Sequence, residues 1–73
     1  MLRAFTDPEG GEWEVTLGRE SWGAFFALFV PRGRVDGIRQ TLLEADSADG
    51  ASRDLAGMNE VELRRLFERS EPR

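Results

Sequence analysis

The chain has 73 residues, which is one small domain and leaves no room for a second. Its 14 Asp and Glu against 10 Lys and Arg give a formal charge of −4, every basic residue is Arg, and there is no His and no Cys. These absences remove disulfides, thiolate nucleophiles, Ser-His-Asp relays, Lys Schiff bases, the P-loop cation and the usual ligands of structural zinc.

Only Asp, Glu, Ser, Thr and Arg remain for acid, base or nucleophile duty. No catalytic residue, cofactor or metal is therefore assigned from the sequence. The opening residues, Met1 to Asp7, lack the apolar core of a signal peptide. The longest apolar stretch, Trp22 to Val30, is about half of what spans a bilayer. The expectation is a cytoplasmic protein with no membrane partner. Net acidity also disfavours charge-driven binding to nucleic acid. The hydrophobic fraction of 40% belongs to a globular chain. A chain this short buries only about 60% of its unfolded surface, however, and it has no covalent staple. Oligomerisation is the common remedy.

In chain order, Leu2 to Thr6 reads as a short strand. Asp7-Pro8-Glu9-Gly10-Gly11 is a turn, with Pro presetting φ and Gly supplying the left-handed position. Glu12 to Leu17 alternates strictly: Trp13, Val15 and Leu17 share one face, and Glu12, Glu14 and Thr16 the other. That is a half-buried strand with one wet side. A two-glycine connection over Gly18 to Gly23 leads into Ala24-Phe25-Phe26-Ala27-Leu28-Phe29-Val30. This run is apolar on both faces and bounded by Pro31, as a central strand is. Ile38 to Glu44 leans to a fourth strand, with a helical turn as the alternative.

The second half reads as helical. Ser47 is placed as the cap of a short helix through Ala56, with Gly57 as its stop and Gly50 as a weak point inside it. Asn59 followed by Glu62 has capping-box spacing, and Met58 and Leu63 have the spacing of a hydrophobic staple. Leu63, Leu66, Phe67 and Ser70 form one stripe. Glu60–Arg64 and Glu62–Arg65 are charge pairs at helical spacing. Ser70 to Arg73 is expected to fray. The implied fold is α+β: a three- or four-stranded antiparallel meander over residues 2–44, then one or two C-terminal helices over 47–69 on one face, in a single domain 1–73.

The aromatic segment is the most informative feature. In a strand, Phe25, Ala27 and Phe29 point one way and Phe26, Leu28 and Val30 the other. One row packs under the helices. The other is covered by the chain itself, by a partner or second copy, or by an apolar ligand. Each large side chain left wet forfeits about 1.5–3 kcal/mol. The contact set expected of a partner surface is Trp22, Phe25, Phe26, Leu28 and Phe29, in a non-enzymatic interaction or accessory protein, a homodimer or subunit of a larger assembly.

Arg32, Arg34 and Arg39, with Arg3 and Arg19 as potential neighbours, form a second candidate: an anion or nucleic-acid contact, weighed against a solvated hairpin tip. Glu12 and Glu14, about 6–7 Å apart on one strand face, are the only carboxylate pair that suggests a hydrolase. They lack the cleft and desolvated acid such chemistry needs. Glu44 to Gly50 fails as a calcium loop because Ala48 takes the fifth place and Asp49 the sixth. No Gly-rich phosphate cradle is present, and no family resemblance is drawn.

Overall fold

The structure is a computed structural model that describes residues 2–20, 22–34 and 36–73. Met1, Ser21 and Val35 lie outside the described residues, and with them the part of the expected 18–23 connection that falls on Ser21. The elements are β1 (Leu2–Thr6), β2 (Glu12–Arg19), β3 (Phe25–Pro31), β4 (Arg39–Leu43), α1 (Ala48–Gly57), α2 (Glu60–Glu68) and β5 (Glu71–Pro72). All five strands form one antiparallel sheet whose spatial order is the chain order. The protein is α+β, a meander followed by two helices, and the sheet has one strand more than the upper end of the sequence expectation. Among the described residues no helix is long and apolar enough to cross a membrane.

The turns form where the sequence supplies them. Between β1 and β2 the Asp7 carboxylate accepts from the Glu9 and Gly11 N–H groups and from the Trp13 indole, at 2.9, 2.8 and 2.8 Å. Gly10 takes φ 87°, a conformation that costs other residues strain. Gly23 does the same at φ 94° between β2 and β3, where the Glu20 N–H donates to the Ala24 carbonyl.

Strand alternation then sorts the side chains. Phe5, Val15, Phe25, Ala27, Phe29 and Leu43 face the helices and meet Ala51, Leu55, Leu63 and Leu66, with Trp13, Leu17, Met58 and Phe67 packed alongside. Phe67 is the hub, its ring 5.4 Å from Phe5, 4.9 Å from Trp13 and 5.2 Å from Phe29. The pairs with Trp13 and Phe29 are edge-to-face, a geometry that adds to simple burial.

Both helix starts are as read. The Ser47 hydroxyl accepts from the Gly50 N–H. Gly50 therefore sits in the first turn, where its N–H has no intrahelical partner, and its low helix propensity matters little. Asn59 and Glu62 form the reciprocal capping box. Ile38 to Glu44 resolves as strand, over Arg39–Leu43.

The C-terminal tail is a correction. Instead of fraying, Glu71–Pro72 pairs with β4, opposite Gln40 and Arg39. The Arg73 N–H donates to the Ile38 carbonyl. Arg39 holds the turn into this strand, donating to the Ser70 hydroxyl and carbonyl at 2.7 and 2.6 Å. Four residues with no apolar alternation carry no strand signal, and proline is tolerated because this is a sheet edge.

Candidate functional site

Both helices cover the face that carries the odd-numbered residues of β3. On the opposite face stand Phe26, Leu28 and Val30 of β3, with Glu14, Thr16 and Gly18 beside them on β2 and Gln40 and Leu42 on β4. Among the described residues no helix packs there. Phe26, Leu28 and Val30 are half-buried by their neighbours, while Leu42 is 56% and Trp22 74% exposed. Trp22 stands edge-on to Phe26, with ring centroids 6.5 Å apart and planes at 82°. Leu28 lies over Gly18, whose missing side chain makes the room.

Charged groups flank this apolar stripe. Glu14 pairs with Arg32 at 3.5 Å. Toward β5, the Arg73 guanidinium reaches Glu20 at 3.6 Å and donates to the side-chain amide oxygen of Gln40 at 3.2 Å. An apolar centre with a polar rim is the anatomy of a protein contact surface.

Of the five residues expected in a contact, Trp22, Phe26 and Leu28 share this face. Phe25 and Phe29 do not: at 5% and 0% exposure they are core, because their row faces the helices. Leu42 was missed, although its alternation with Gln40 would have placed it had the strand been certain. The open face is also the glutamate-bearing face of β2. The apolar contact surface and the wet face expected as separate are thus adjacent strands of one surface.

Arg32, Arg34 and Arg39 are not brought together, though Arg3 lines one shallow depression with Arg32. Arg32 pairs with Glu14, and Arg34 with Asp36 at 3.4 Å. Arg39 lies on the helix face, bonded to Ser70 and 5.9 Å from the Phe67 ring. Arg3 donates to the carbonyls of Leu55, Ala56 and Met58 at 3.2, 3.4 and 2.7 Å, closing the C-terminal end of α1. Arg19 stacks near Phe25 at 5.8 Å.

Glu14 lines a shallow depression of about 190 Å³ with Arg3, Ala4 and Arg32, and Glu12 is not part of it. That depression therefore does not bring the two carboxylates together. A larger open groove of about 550 Å³ runs between α1, α2 and the end of β4. Its lining mixes Leu42, Met58 and Leu66 with Arg53, Asp54 and Glu62. Among the described residues no three His, Cys, Asp or Glu converge as metal ligands.

Asp7 has a displaced pKa. The Trp13 indole N–H, followed by the Gly11 N–H, holds its carboxyl below the ordinary 3.8, against a smaller opposing effect of burial. These bonds organise the hairpin and create no reactive acid.

The class defined by these features is a small α+β protein with one helix-covered and one open sheet face. No known protein family, no characterised protein and no solved structure matches the chain.

Proposed function

We propose that the protein is a non-enzymatic interaction module, self-associating or a subunit of a larger assembly, and that its contact surface is the open sheet face. Phe26 and Leu28 form the centre, Trp22 and Leu42 the exposed flanks, and the Glu14–Arg32 and Glu20–Arg73 pairs the rim. The observation that carries this reading is the position of Trp22 and Leu42, 74% and 56% exposed, around an apolar strand with no helix above it. Fully burying an exposed large apolar side chain is worth about 1.5–3 kcal/mol. A domain's whole stability is about 5–15 kcal/mol, so closing this face matters to the fold as well as to the contact.

Sedimentation equilibrium at micromolar concentration, alongside capture of partners from a lysate, tests the reading. Phe26→Glu is expected to abolish self-association or capture while the monomer keeps its far-ultraviolet circular dichroism. A wild-type chain that remains monomeric and captures nothing overturns it.

A further inference from the structure

We infer that β1 is a second, independent contact element, through which two copies of this chain join edge to edge into one continuous antiparallel sheet. The main-chain groups of β1 alternate in direction. The Asp7 N–H donates to the Gly11 carbonyl at 2.9 Å, and the Asp7 carbonyl accepts from Gly10 at 3.0 Å, so both groups of Asp7 point toward β2. Antiparallel ladders alternate. Phe5 and Arg3, opposite Trp13 and Val15, therefore direct their groups to β2. Leu2, Ala4 and Thr6 direct theirs outward, away from the sheet. Among the described residues no other group hydrogen-bonds to the main chain of Ala4 or Thr6.

The two edges of the sheet differ. The β5 edge is two residues long and contains Pro72, which has no N–H to donate. Short strands and proline are the usual protections of an edge. The β1 edge is five residues long and has neither proline nor glycine. α1 packs chiefly on β2 and β3 and α2 on β4, and the helices meet β1 through the side chains of Arg3 and Phe5, on one face of the sheet and not along its edge.

Symmetry and charge select a second copy as the occupant. With Ala4 on a two-fold axis, the Ala4 main-chain groups of the two copies face each other, and Leu2 of each copy meets Thr6 of the other. All three are outward-directed residues, so every pair is a hydrogen-bonded one. The residue at the axis is small and exposed. On the helix face Arg3 of one copy lies beside Phe5 of the other, so no like charges are opposed. In a chain of net charge −4, β1 carries one arginine and no acidic residue. Two copies approaching along it meet the least repulsion.

Amide hydrogen exchange on the wild-type chain, at low and high protein concentration, reads this directly. Slowing of the Ala4 and Thr6 amides by at least tenfold as dimer forms is the expected result. A dimer that leaves them unprotected, or a chain that is monomeric at every concentration, overturns the proposal. Ala4→Glu places two carboxylates at the axis, each beside a Glu14, and is expected to give a monomer at low salt. Ala4→Pro removes only the outward donor and is expected to do the same. The comparison with Phe26→Glu separates the two surfaces. Loss of the dimer in the Ala4 variants and its survival in Phe26→Glu supports edge pairing. Survival in both Ala4 variants and loss in Phe26→Glu overturns edge pairing and leaves the open-face reading standing.

Discussion

Leu28 occupies the space that a side chain at Gly18 would need: a β-carbon built there lies 2.8 Å from both Cγ and Cδ1 of Leu28. The two residues lie on adjacent strands of the open face, Leu28 two register positions from Phe26, the partner of Gly18. The glycine thereby lets Leu28 lie flat and keeps the apolar stripe low.

Gly18→Ala is expected to lift Leu28 and strain β2 against β3. Overpacking of this kind costs about 1–3 kcal/mol. A lower urea midpoint with an unchanged slope, together with weakened association, is the expected result. A variant as stable as wild type shows that Leu28 moves freely.

Arg3 ties β1 to the end of α1 through the carbonyls of Leu55, Ala56 and Met58. Arg3→Ala leaves these acceptors without their cationic donor, at about 1.5–3 kcal/mol for hydrogen bonds to a charged group. Arg3→Lys should recover only part of this, because ammonium lacks the planar fork. Thermal denaturation of the three proteins gives the order wild type, Lys, Ala.

The hairpin at Asp7 predicts an acid-limb effect. Its carboxyl titrates lower in the folded chain than in the unfolded one, first through the Trp13 indole and then through the Gly11 N–H. Unfolded chains bind that proton first, so the stabilisation is fully present above the ordinary value of 3.8 and is lost as pH falls through the folded value. Asp7→Asn is expected to destabilise the protein at neutral pH and to flatten the decline below pH 3.8. Parallel stability curves for the two proteins across that window show that the carboxylate is not responsible.

Ser70 is buried, donates to the Phe67 carbonyl and accepts from Arg39. Ser70→Ala strips the Arg39 Nε of its partner, with an expected cost of about 1–3 kcal/mol. The Gln40 amide, paired with Glu71 across β4 and β5, should exchange faster in this variant. Unchanged exchange at Gln40 argues that β5 holds without the clasp.

The legible parts of the fold were those specified by local chemistry. Alternation from Glu12 to Leu17 is enough to define β2, because each residue's face is decided within the strand. Ser47 and Asn59 define helix starts because their side chains satisfy donors three residues away. The assignment of rows within β3 was different. Phe25, Ala27 and Phe29 against Phe26, Leu28 and Val30 are equally apolar sets, and which of them is buried depends on which side α1 and α2 cross. That crossing is decided by contacts such as Phe67 with Phe5 and Phe29, more than 35 residues apart in sequence. The arginines were illegible for the same reason: Arg3 and Arg39 answer to carbonyls and a hydroxyl brought near only by the finished fold.

The order of the sheet has a kinetic consequence. Each of β1 through β4 is a chain neighbour of the strand it pairs with, so their ladders can zip through successive hairpins with short loop closures. β5 is the exception: it must return to β4 across both helices, and it does so with two residues, one of them proline. The closing of the Arg39–Ser70 latch is therefore expected to be the late event, and the opening of that corner the first local unfolding, in a molecule whose remaining strands pair through short hairpins.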